Sequence, residues 1–163
     1  MNNLIMIIIL MLSFFIFGNY GIHLFFKKRK QNLILNLNGI EYDLIEKVKA
    51  YVTGKSRISY SWRVMRADII FYNKNIVVIP YNYHLKGLIR QYQPILQYTF
   101  DNKKLKGVSS LMQIDKIEKE GRKITLNYRV TDNFVKGQMK TELDLSKKNI
   151  DLNKIIQNKE YAT

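Results

Sequence analysis

The sequence predicts an α+β protein: an N-terminal transmembrane helix, then antiparallel strands arranged as a β-sandwich or barrel, closed by a C-terminal helix. Three observations carry this. Leu4–Phe26 is a 23-residue stretch without a charged side chain, followed at once by Lys27, Lys28, Arg29 and Lys30. From Arg57 to about Leu145 the apolar residues recur mostly with a period of two, in short runs separated by polar turns. After Asn149, Leu152, Ile155 and Ile156 fall on one helical stripe.

The apolar head comes first. A helix of this length rises ~35 Å, and a hydrocarbon core is ~30 Å thick. Within lipid the backbone must satisfy its own hydrogen bonds, so a lone spanning segment is helical. A cleaved leader is the rival reading. It is disfavoured because Met1-Asn2-Asn3 supplies no basic start and no small-x-small cleavage site follows. The chain has no Cys, which excludes a lipidated cysteine, disulfides and cysteine metal sites. Basic residues flanking a span stay in the cytoplasm, so the basic cluster at residues 27–30 predicts a single-pass cell-membrane protein with its C-terminal domain inside. Asn19 and His23 share a helix face. With Lys27 one turn beyond, His23 is expected near the interface rather than as a functional group in the lipid.

The remainder divides into a linker at 31–40 and one domain at 41–163, long enough for a core of its own. Residues 40–53 read both ways: Ile40, Leu44, Ile45, Val48, Tyr51 and Val52 fit a helical face, while "KVKAYV" alternates like a strand. "RISYSW" and "ADIIFY" lead into Asn73-Lys74-Asn75, and "IVVIPY" follows, which predicts a hairpin. Residues 82–94 read as a loop or short helix ended by Pro94. "ILQYTF", "VSSLMQIDKI", "KITLNYRV" and "QMKTELDL" are further strands, the middle two joined through Glu118–Gly121. The final helix starts at an Asn149 cap with Asp151 in its first turn. Trp62, Ile70, Val78, Leu126 and Ile155 are expected to form one buried core.

With "RADIIFYNKNIVVIPYN", the later meanders and the closing "NIDLNKIIQ", the chain resembles bacterial members of the pleckstrin-homology-like superfamily, close to the GRAM type, over residues 42–160. The resemblance implies two nearly orthogonal antiparallel sheets closed by a helix. It also implies a module that binds lipids, peptides or proteins and is not an enzyme. Some phosphoinositide-binding pleckstrin-homology domains carry a Lys, a spacer of seven or more, then Lys/Arg-x-Arg across the first hairpin. Lys47, Lys55 and Arg57 fit that spacing, which makes them the candidate contact for an anionic headgroup.

Motifs for chemistry are scarce. "TGKS" at 53–56 lacks the glycine of a P-loop five positions before Gly54, where Lys49 stands. His84 has no spaced His, Cys or acidic companions, so neither a metal site nor a catalytic residue is assigned, and no cofactor. Asp115, Glu118 and Glu120 lie among lysines and read as solvated surface. A small tethered enzyme using His84 is the alternative class. Charge is the stronger signal: 27 basic against 13 acidic residues give +14, all of it after Phe26. Anionic lipid, nucleic acid and a merely solvated basic surface all fit that excess. The anchor favours lipid, because it already holds the domain beside headgroups, and it argues against nucleic acid. A protein partner remains compatible. The orientation is directly testable: a C-terminal reporter that works only outside the cytoplasm should stay silent, and strong activity would reverse the assignment.

Overall fold

The computed structural model describes residues 2–55, 60–73, 75–84, 89–101, 103–131 and 136–146, with side chains omitted at several segment ends and over 60–65. One long helix, α1 (Asn2–Asn36), precedes eight strands: β1 (Asp43–Lys55), β2 (Tyr60–Tyr72), β3 (Asn75–His84), β4 (Ile89–Tyr92), β5 (Leu96–Thr99), β6 (Ser110–Glu120), β7 (Lys123–Thr131) and β8 (Lys136–Asp144).

α1 is long and apolar enough to cross a membrane, and among the described residues nothing covers its first half. The helix does not stop at the basic cluster. It continues through Lys27–Lys30 to Asn36, so most of the stretch expected to be linker is helical, and Leu33 and Leu37 are buried. The physical reason is in the sequence: Leu33 and Leu37, one turn apart, give the end of the helix an apolar stripe that has somewhere to pack.

The strands run in the order β2-β1-β8-β7-β6-β5-β3, and β2 pairs with β3, so seven strands close a barrel while β4 extends β3 at one end. All pairings are antiparallel except β5 with β6. The ambiguous segment 40–53 is strand β1. It carries register shifts between Ile45 and Val48 and between Val48 and Ala50, with Lys47 in a left-handed conformation (φ 58°). These bulges reset the alternation, which is why Ile45 and Val48 are both buried three residues apart and mimic a helical period. Beyond the bulge β1 pairs with β2 on one side and β8 on the other.

The first expected hairpin is present: Tyr72 pairs with Asn75, and Asn73 takes φ 47°. The second is also present, but tighter than expected. β6 runs on to Glu120, which pairs with Lys123, so the turn is Gly121-Arg122 with Gly121 at φ 56°. Within 82–94 the structure differs from the expectation of a loop or helix. Residues 82–84 complete β3, and 89–92 form β4 against it. The expected closing helix from Asn149, with Ile155, lies outside the described residues.

The described residues form two apolar clusters rather than one. Inside the barrel lie Ile45, Val48, Val52, Ile69, Phe71, Val78, Ile124, Leu126 and Leu143. Tyr98 lies there too, its hydroxyl 2.8 Å from Thr141 Oγ1, which donates at 3.3 Å to Tyr128; the buried hydroxyls satisfy one another. Burial pushes the Tyr98 phenol well above its ordinary range. The second cluster is outside the barrel wall: Leu33 of α1 and Leu37 just beyond its end against Ile70, Val77, Ile79, Ile95 and Val108. Ile70 therefore separates from Val78 and Leu126, because alternate residues of β2 face opposite ways. The Trp62 side chain is outside the described set.

The segment between β5 and β6 wraps the far side of the helix. Gln97, buried, donates to Asn75 Oδ1 (2.7 Å) and to the Lys103 carbonyl (2.9 Å), and accepts from the Leu105 N–H (2.8 Å). Gly107 has φ 97°, and a Cβ there would meet Leu33 backbone and side-chain atoms at 3.3 Å. Leu126→Ala should lower stability by ~2–5 kcal/mol in denaturant unfolding. Gly107→Ala should cost ~1–2 kcal/mol for the left-handed backbone alone and also loosen the seat of α1.

Candidate functional site: the junction of helix and barrel

Asp68 is the one acid in "ADIIFY", and its place in β2 puts it on the outer face with Ile70. It is fully buried. A carboxylate taken out of water is tolerated only when paired and hydrogen-bonded. Both conditions are met. Lys30 Nζ of α1 donates to Oδ2 at 2.8 Å, the Lys47 backbone N–H donates to Oδ1 at 3.1 Å, and Arg90 of β4 approaches Oδ2 at 3.4 Å. The bulge in β1 has a purpose here: the left-handed turn at Lys47 aims a backbone N–H at the carboxylate that an uninterrupted ladder would have used elsewhere.

Around this charge stands a wall of tyrosines. Tyr81 pairs with Tyr92 and Tyr83 with Arg90 across β3 and β4, so all four share one face. The Arg90 guanidinium lies 4.3 Å from the Tyr81 ring centre and 5.9 Å from those of Tyr83 and Tyr92. Lys30 Nζ sits 5.1 Å from the Tyr92 ring. Burial, and then the Asp68 charge, push the Tyr81 hydroxyl above the phenol range; the Arg90 hydrogen bond pulls Tyr83 below it. Farther up α1, His23 stacks on Tyr92 (6.0 Å, 12°), and Gln91 Nε2 reaches Asn19 Oδ1 at 3.5 Å. On the other flank Arg29 donates to Ser109 Oγ at 2.9 Å.

The basic cluster is thus divided. Lys27 and Lys28 are exposed, while Arg29 and Lys30 turn into the protein and hold the barrel. Of the three residues fitted to the pleckstrin-homology spacing, two lie on β1, well apart along the strand. Lys47 is exposed at the bulge beside Asp68, and Lys55 ends β1 eight residues later, ~26 Å along a strand. Arg57 lies outside the described residues. Thr53–Lys55 belong to β1, so "TGKS" does not lead into a helix. His84 ends β3, with its side chain outside the described set. Asp115 and Glu118 are exposed and paired with Arg129 (3.0 Å) and Lys116 (2.9 Å).

Sequence reasoning passed over Asp68, Arg90 and the tyrosines. The available signal was the lone acid within an apolar strand, an expensive residue unless a cation meets it. Comparison with known proteins returns no matching family, no similar curated protein and no similar solved structure.

The junction behaves as a clasp. Asp68→Asn leaves Lys30 and Arg90 without their buried counter-charge and should cost about 3 kcal/mol or more in unfolding of the full-length protein in micelles. Removing the exposed Lys140–Glu142 pair should cost under about 1 kcal/mol.

Proposed function

We propose that this protein is a membrane-anchored, pleckstrin-homology-like interaction module whose barrel contacts anionic lipid headgroups at the cytoplasmic face, with a protein partner as the alternative occupant of the same surface. The observation that carries the reading is directional. From Leu37 back to Asn19, the neighbours of α1 run from Ile70, Val77 and Ile79, to Asp68 and Tyr92, to Gln91. Along β3 and β4 that is a walk toward the barrel end where β1 meets β2, β3 meets β4 and β7 meets β8. The helix runs the same way toward its apolar half, so that end of the barrel faces the bilayer.

The depth follows from helix length. Leu4–Gly18 is 15 residues, ~22 Å, which falls short of a ~30 Å core. A spanning helix must therefore use the Asn19–His23 turn as well, the turn flanked by Gln91 and Tyr92. Lys55, the last residue of β1, and Lys136, the first of β8, stand at this end. Each basic residue near an anionic leaflet gains ~1 kcal/mol, falling off within a Debye length. Lys55 keeps a role in this reading as part of a charged rim, while Lys47 belongs to the junction. In keeping with the resemblance, β1 pairs with both β2 and β8; against it, the strands form one closed sheet whose β5–β6 pair is parallel rather than two antiparallel sheets.

The cysteine-free chain allows the test. Spin labels at single cysteines replacing Lys55 or Lys136 should report headgroup proximity in anionic nanodiscs, while one at Lys119, at the other end, should report bulk water. Equal aqueous exposure at both ends would overturn the orientation. Headgroup proximity that is the same in neutral and anionic nanodiscs would favour the protein partner.

A further inference from the structure

We infer that the outer face of β3 and β4 beside α1 holds a phosphate-binding site built on Arg90, Tyr83 and Tyr81, and that its ligand is the phosphodiester of an anionic lipid in the cytoplasmic leaflet. The inference rests on the orientation proposed above and adds a defined site to it. Three observations on the structure converge here.

The first is an under-used guanidinium. Arg90 has five N–H donors in a planar fork. Every hydrogen bond it makes among the described residues is long: 3.4 Å to Asp68 Oδ2, 3.4 Å to the Tyr92 hydroxyl and 3.5 Å to the Tyr83 hydroxyl. Asp68 is already engaged at 2.8 Å by Lys30. Arg90 is a quarter exposed and lies 4.3 Å from the centre of the Tyr81 ring. Its planar fork matches two oxygens of a phosphate.

The second is an imbalance. Lys30 and Arg90 face a single carboxylate, so the junction keeps one positive charge in excess. Next to it, among the described residues, the hydroxyl of Tyr81, itself fully buried, makes no hydrogen bond of good geometry and meets only the Tyr83 hydroxyl, and Nδ1 of His23 has no partner. A buried polar group without a partner costs free energy, and an incoming anion with several acceptor oxygens supplies what Tyr81 lacks.

The third is position. Arg90 is adjacent in sequence to Gln91, which touches Asn19, and two residues from Tyr92, which stacks on His23. On a spanning α1 these contacts fall at the last turn of the apolar stretch. Tyrosine with arginine is the pairing that suits the headgroup layer, with rings toward the chains and polar tips at the phosphates. The same β4 edge, placed in bulk water, would have no such anion beside it.

The test uses full-length protein in neutral detergent, with retained lipid read by native mass spectrometry across titrations of phosphatidylglycerol, phosphatidylcholine and inorganic phosphate. Phosphatidylglycerol should be retained in preference to phosphatidylcholine. Arg90→Gln should weaken it roughly tenfold or more, the loss expected of a charge-assisted bond. Arg90→Lys, keeping charge without the fork, should recover only part. Tyr81→Phe should weaken lipid retention while leaving the lipid-free protein as stable as before or more so, an outcome a purely structural hydroxyl would not give. It also covers the case in which Arg90→Gln fails to fold. Lys103→Gln, distant and exposed, should match wild type. Equal retention by wild type, Arg90→Gln and Tyr81→Phe would remove the site while leaving the spin-label test of orientation standing. Displacement of the lipid by inorganic phosphate at comparable concentration would overturn the assignment to lipid.

Discussion

A single buried carboxylate organises this protein. Asp68 sits on the outside of a barrel, on a strand where water would normally reach it, yet it is fully covered. That is stable only because a cation is delivered by another element at hydrogen-bond distance. Lys30 delivers it from α1, fixing both the rotation and the height of the helix against β2. Leu33 and Leu37 then fall on Ile70, Val77 and Ile79, and Arg29 falls on Ser109. The barrel answers with its own distortions: a bulge at Lys47 that turns an N–H toward Asp68, and a glycine at 107 that lets the chain pass against Leu33.

The consequence is mechanical. A domain on a loose tether samples many orientations near a membrane, and its contacts there are a matter of average charge. Here the helix continues along the outside of the barrel without a break, clasped by one ion pair, one apolar cluster and one wrapping segment. The direction of the helix becomes the direction of the barrel. Under the proposed function, contacts that favour one barrel end would then follow from geometry, with the ordering cost met in folding rather than at the surface.

Much of this architecture was legible in the chain, and the exceptions have physical reasons. The apolar helix, the hairpins at Asn73 and Gly121 and the strands of the second half announce themselves by uniform composition or clean alternation. β1 was ambiguous because its bulges place Ile45 and Val48 on the same face at a spacing no regular strand would give. The stretch 31–40 read as linker because two leucines after a charge cluster look like little, until a groove exists for them. β4 was missed because its face is aromatic and cationic rather than apolar, so no hydrophobic period marks it. The expected single core divided in two because a barrel wall has an outside, and α1 with the Leu105–Val108 segment buries part of it. Lys47, Lys55 and Arg57 matched a spacing, but spacing along a strand is distance, and the first two stand far apart on β1.

The account turns on α1 and the barrel being one body. The direct measurement is the distance distribution between two spin labels in the full-length protein in nanodiscs, one replacing exposed Lys28 on the helix and one replacing exposed Lys116 on β6. A clasped helix predicts a single narrow distribution that broadens when Asp68 is changed to Ala. A broad distribution in the unaltered protein, or one indifferent to Asp68→Ala, would contradict it.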